Sequence, residues 1–113
     1  MNYTVKVYQT FKRQFKRLNK CYKSLETDVD LLVETLLEDP YQGADLGRGL
    51  RKVRMAISAK GKGKSGGARV ITLILAYSEE ESEIGLLYIY DKSERESLTD
   101  SELTDILRQN ELL

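Results

Sequence analysis

The sequence predicts an α+β domain spanning residues 1–113. It has a small, antiparallel-dominated sheet, an N-terminal helical hairpin on one face and a C-terminal helix, in the order β-α-α-β-β-β-α. Three observations carry this. Two successive segments before Pro40 repeat apolar residues every three or four positions, the period of a helix buried on one side. Three apolar segments then follow between Leu50 and Asp91, separated by turn-forming stretches. Near the end, Thr99 stands three residues before Glu102, the spacing of a capping box that opens a helix.

In chain order, Tyr3, Val5 and Val7 alternate and predict a first strand over 3–8. Phe11, Phe15, Leu18 and Tyr22 form the apolar stripe of a helix over about 10–22. Ser24 is the expected N-cap of a second helix ending near Asp39, with Glu26 and Asp28 at its positive end. Pro40 stops it, and the short connection makes the pair antiparallel. Residues 40–49, with Pro40, Gly43, Gly47 and Gly49, read as a loop. The second strand, 50–58, turns Val53, Met55 and Ile57 one way and Lys52, Arg54 and Ala56 the other. The third, 68–77, is apolar on both faces and is expected to be central. Ile84–Asp91 forms the fourth. The first strand is expected at an edge or beside the third.

Composition bounds the function. The chain has no histidine, one cysteine (Cys21) and no metal-ligand spacing. Histidine-dependent nucleophilic pairs and histidine-bound zinc are excluded, and no cofactor is implied. No apolar run approaches the roughly 20 residues of a membrane helix. The expected setting is a bacterial cytoplasm. A net charge of zero hides strong segregation: residues 1–23 carry only cations, 24–47 only acids, and 51–69 only cations again. Zero net charge therefore does not argue against a nucleic-acid partner.

The third of these blocks, RKVRMAISAKGKGKSGGAR, is the chemically informative one. It holds Arg51, Lys52, Arg54, Lys60, Lys62, Lys64 and Arg69 without an acid, at the end of a hairpin. A solvated loop usually mixes signs, so a polyanion is the expected ligand. Gly61, Gly63, Gly66 and Gly67 are expected to keep the loop mobile and let its backbone approach that ligand. Lys12, Lys16 and Lys20 line the first helix at intervals of four. They form either a solvated face or an extension of a nucleic-acid surface, with Lys52 and Lys60 as further contacts.

Three segments, FKRQFKRLNKCY, LRKVRMAISAKGKGKSGGARVI and LLYIYDKSERESLTDSEL, resemble the RelE/ParE toxin superfamily of bacterial type II toxin–antitoxin systems, nearest its HigB/RelE-like branch. The resemblance covers about residues 3–108. It implies a ribosome-dependent, metal-independent mRNA endoribonuclease that inhibits translation. Its implied partners are the ribosome, messenger RNA and a cognate antitoxin with a helix-turn-helix DNA-binding domain, joined to the toxin in a hetero-oligomer. By position it implies a site of Arg54, Lys62, Lys64, Arg69, Tyr90 and Lys92.

Such cleavage uses the substrate's own 2′-hydroxyl, and needs a base, cations on the phosphate and an acid for the leaving 5′-oxygen. Arg54 and Arg69 suit the phosphate, because a guanidinium is planar and bidentate. Like charges disfavour a protonated lysine, which makes Lys62 or Lys64 the candidate base. Tyr90 or Lys92 is the candidate acid, and Tyr90 can also stack on a base. Two alternatives share the charge pattern: a ParE-like inhibitor of DNA gyrase and a non-catalytic nucleic-acid-binding module. If the helical hairpin covers the other face, Ile71, Leu73 and Leu75 need a different cover, which the last helix is expected to supply in part and the antitoxin for the rest.

Overall fold

The computed structural model describes residues 2–113; Met1 lies outside them. The elements are β1 (Asn2–Val7), α1 (Gln9–Asn19), α2 (Leu25–Glu38), β2 (Ala44–Gly47), β3 (Leu50–Met55), β4 (Ala68–Ala76), β5 (Glu81–Asp91) and α3 (Asp100–Gln109). The expected order holds, with one addition. β2 forms inside the stretch expected to be a loop, pairing antiparallel with β3. Its glycines are compatible with this because they mark the bend: Gly47 and Gly49 both have positive φ, as does Arg48 between them.

One five-stranded sheet results, in the order β1-β5-β4-β3-β2. β4 is central, as its two apolar faces required. β1 lies at an edge as expected, but its neighbour is β5, and the two run parallel. The crossover that parallel pairing demands is the helical hairpin with the strands that follow it.

Each face of the sheet has its own apolar layer. The hairpin packs Phe11, Leu18, Leu25 and Leu36 onto Val53, Met55, Val70 and Ile89. On the other face α3 packs Leu103, Ile106 and Leu107 onto Ile71, Leu73, Leu87 and Tyr90. Ile71 and Leu73 are thus buried within the chain, so the expected need for an antitoxin cover falls away for both. The capping box forms as read: Thr99 accepts from the Glu102 N–H, and Glu102 accepts from the Thr99 N–H. Ser24 stands at the N-cap position of α2 as expected, but its side chain makes no capping hydrogen bond to the helix N–H groups. Its hydroxyl instead donates to Asp28 and accepts from the Ala59 N–H.

The alternation of β5 breaks at a bulge. Ile71 pairs with Tyr88, and Thr72 pairs with Leu86. The extra residue, Leu87, switches the parity, so that Ile84, Leu86 and Ile89 face the hairpin while Leu87 and Tyr90 face α3.

Gly67 is required where the basic loop rejoins the sheet. A Cβ there would lie 2.1 Å from the Met55 carbonyl oxygen, backbone against backbone. Gly67→Ala is expected to cost about 1–3 kcal/mol, read as a lower urea midpoint at unchanged slope. An unchanged midpoint would show that the two strands can separate there at no cost.

Candidate functional site

The strand register brings three of the expected site residues into one row. Arg54 of β3 is directly opposite Arg69 of β4, which is directly opposite Tyr90 of β5. The β5 bulge makes this possible, since an unbroken alternation would turn Tyr90 toward the other face. Like charges directly opposite on neighbouring strands are destabilising. An arginine pair with no acid between its members is a cost that a bound anion would relieve.

The two arginines differ in their surroundings. Arg54 is exposed, and no other described residue bonds to its side chain. Arg69 is only 4% exposed. Its Nη1 donates to the carbonyls of Lys64 and Ala68, at 3.0 and 3.1 Å, and its Nη2 donates to that of Ser65 at 3.2 Å. Arg69 therefore holds the basic loop in place. That corrects the reading of a guanidinium free to grip phosphate.

The loop, expected to be mobile through its glycines, is anchored at both ends. At its start, Asp28 of α2 accepts from the Ser58 N–H and hydroxyl. Next, Lys60 Nζ pairs with Asp91 at 2.8 Å, with the two side chains 9% and 2% exposed. At its end Arg69 takes over. Lys60, expected to contact RNA, is thus committed to a buried ion pair and is not presented to a ligand. Lys62 and Lys64 remain exposed between these anchors. Lys52 is half-buried and, like both of them, has no side-chain partner among the described residues.

Asp91, which the sequence reading passed over, is the hub of this end of the sheet. It accepts from Lys60, the Tyr22 hydroxyl, and the Ser93 N–H and hydroxyl. Burial alone would raise its pKa, but these donors together hold it well below the usual carboxylate range. The Tyr22 hydroxyl, hydrogen-bonded to that carboxylate and partly desolvated, is pushed up to about 12.

Tyr90 is 2% exposed, so the stacking on a substrate base expected of its ring is closed to it in this conformation. Its hydroxyl is buried without a hydrogen-bond partner. Such buried unpaired groups are rare in folded proteins, and Thr72 Oγ1 is another among the described residues. Burial raises the Tyr90 pKa, while the charges of Arg69 and Arg95 oppose the rise. Arg95 was also missed. It forms a bidentate pair with Glu102, at 2.6 Å for each bond, and fastens the start of α3 beside Tyr90. That bond and the capping N–H of Thr99 lower the Glu102 carboxyl to about 2. Lys92 is half-buried next to this group; its N–H donates to Gly67, and its ammonium is unpaired.

Around Arg54 the surface is concave. Lys52, Arg54 and Lys64 line one groove of about 570 Å³ along the outer edge of β3. The described residues thus place three unpaired cations on one groove, with Tyr90 beside Arg69 on the neighbouring strand. Away from it, Lys12, Lys16 and Lys20 are exposed on α1 without partners, whereas Arg17 is held by Glu94. No helix among the described residues is long and apolar enough to cross a membrane.

A family model described as the RelE toxin of the RelE/RelB toxin–antitoxin system matches residues 5–111, nearly the whole chain.

Proposed function

We propose that this chain, which belongs to the RelE toxin family, acts as a metal-independent endoribonuclease that cleaves messenger RNA on the ribosome and so inhibits translation. Membership makes it the toxin of a toxin–antitoxin pair, with a cognate antitoxin as partner. The observation that carries the enzymatic reading is the groove of unpaired Lys52, Arg54 and Lys64, built beside an arginine pair and an orphaned tyrosine hydroxyl.

In this reading Arg54 and Lys52 hold the scissile phosphate and stabilise the charge that grows on it. Lys64, which lines the groove, takes the 2′-hydroxyl proton; Lys62 adds field from the loop. The 2′-oxygen bonds to phosphorus as the bond to the 5′-oxygen breaks, leaving a 2′,3′-cyclic phosphate and a 5′-hydroxyl. Lys92 supplies the proton for that hydroxyl. Arg69 keeps the loop carbonyls in position, and burial keeps the Tyr90 hydroxyl protonated against the lesser opposing charges of Arg69 and Arg95, which makes Tyr90 a reserve proton donor. The ribosome contributes the alignment that a shallow groove cannot impose alone.

The test is induction of the chain without its antitoxin, followed by mapping of transcript ends. Growth arrest with cuts confined to translated messages is the expected result. Intact transcripts with failing DNA supercoiling would replace this reading with gyrase inhibition. Binding without cuts would leave a nucleic-acid-binding module.

The α1 lysines are expected to add affinity without chemistry. Each phosphate they neutralise contributes a salt slope on the order of −0.7 on single strands. Replacing Lys12, Lys16 and Lys20 together should flatten the salt dependence of ribosome binding and leave single-turnover cleavage at saturation unchanged. An unaltered slope would make that face ordinary solvated surface.

A further inference from the structure

β2 pairs with β3 only as far as Lys52, so the edge of β3 beyond it is open. A second depression, of about 160 Å³, lies there against α2. Its apolar wall comes from Leu31, Leu32, Met55 and Ala56. Leu31 is 55% exposed, so its side chain is open to a ligand. Gln42, Arg54 and Lys64 line both this depression and the cationic groove, so the two adjoin at these residues.

Gln42 is held from several sides. Its carbonyl accepts from Arg51 Nε at 3.2 Å. Its side-chain Nε2 donates to Thr35 Oγ1 at 3.1 Å and to the Asp39 carbonyl at 3.4 Å. A carbonyl can only accept, which fixes the orientation of the amide. Both amide hydrogens are then committed, and Oε1 is left as an acceptor with no donor on it among the described residues.

We propose that this depression is a base-recognition subsite and that Gln42 determines its specificity; the proposal rests on the endoribonuclease reading above. A phosphate held by Arg54, with its nucleotide's 2′-hydroxyl at Lys64, lies at the junction of the two depressions. The base of that nucleotide can then enter the apolar one, against Leu31 and Leu32. There Gln42 Oε1 accepts from an exocyclic amino group. Adenine and cytosine offer that group, and uracil offers a carbonyl in its place. An acidic peptide would also find the cations, but its carboxylates would meet two further acceptors, Gln42 Oε1 and the Asp28 carboxylate, beside the apolar wall.

The test uses two arms. In the first, the wild type cleaves translated reporters that differ in one base of the codon. Uracil at one position should be cut about tenfold less than adenine or cytosine. Gln42→Leu should erase that difference. Thr35→Val, which frees one amide hydrogen, should shrink it, with melting temperatures confirming that both variants fold. In the second arm, uncleavable 2′-deoxy trinucleotides are titrated while the Gln42 side-chain amide and Leu31 methyl resonances are followed. Shifts with an adenine-containing probe, and about tenfold weaker ones with all-uracil, are expected. An unchanged base preference in Gln42→Leu, or silent Gln42 and Leu31 signals, would overturn the subsite even where cleavage stands. If the variants weaken only the antitoxin complex, the depression is a protein contact and the subsite is again overturned. Failure of the wild type to cut any translated message would instead sink the endoribonuclease reading.

Discussion

Arg54→Ala is expected to lower single-turnover cleavage on the order of a hundredfold, comparable to loss of one transition-state donor, while the melting temperature stays put. Arg54 is exposed and unpaired, so its removal takes away no core atom and no internal hydrogen bond. Substitutions at such positions are usually worth less than about 0.5 kcal/mol. Arg54→Lys should recover only part of the rate, because the charge returns without the bidentate fork. Arg69→Ala supplies the contrast. It strips the carbonyls of Lys64, Ala68 and Ser65 of their donor, so rate and melting temperature should fall together. Near-normal cleavage by Arg54→Ala would move the phosphate site elsewhere. A fall in melting temperature matching that of Arg69→Ala would make Arg54 a structural residue.

That contrast shows where the sequence was legible. Both arginines lie in the same cation-rich block, and composition cannot distinguish them. Their difference arises from loop carbonyls that fold back onto Arg69. Patterns that repeat locally were readable: the stripe of Phe11, Phe15 and Leu18, the run that made β4 central, and the capping box of Thr99 and Glu102. Features set by pairing across the chain were not. The bulge at Leu87 leaves no mark in a run of apolar residues, yet it decides which face Tyr90 occupies. β1 is compatible with either of two neighbours until the sheet is assembled. β2 was hidden because glycines that bend an edge strand resemble those of a loop. Among the candidate cations, Lys60 was misread for a simple reason: its partner Asp91 is distant in sequence, and an unpaired lysine looks the same as a paired one. Gln42 gave no signal at all, being a single glutamine in a glycine-rich stretch.

Asp91→Ala is expected to have the largest effect on stability. Removing one member of a buried ion pair leaves its partner charged and desolvated, at a cost of about 3–5 kcal/mol. Here it also deprives the Tyr22 hydroxyl and Ser93 of their acceptor. Lys60→Met should cost less, because Tyr22 and Ser93 still donate to the carboxylate. The pH dependence identifies the cause. Asp91 has a pKa held below its ordinary value, so its contribution is complete above about pH 4 and is lost as the pH falls through the acid range. Glu102, lowered to about 2, acts with the same sign from a more exposed position. Tyr22 gives the opposite limb. With its hydroxyl raised to about 12, its contribution is complete below pH 10 and is lost as the pH rises toward 12. Denaturant midpoints measured from neutral to acid pH should therefore fall for the wild type and fall less for Asp91→Asn, which starts lower. On the alkaline side, Tyr22→Phe should flatten the loss. Because Lys60 opens the basic loop, Asp91→Asn should also raise amide exchange between Gly61 and Ser65. Equal acid slopes in wild type and Asp91→Asn, with the loop still protected, would mean that the ion pair neither stabilises the fold nor positions the cations of the groove.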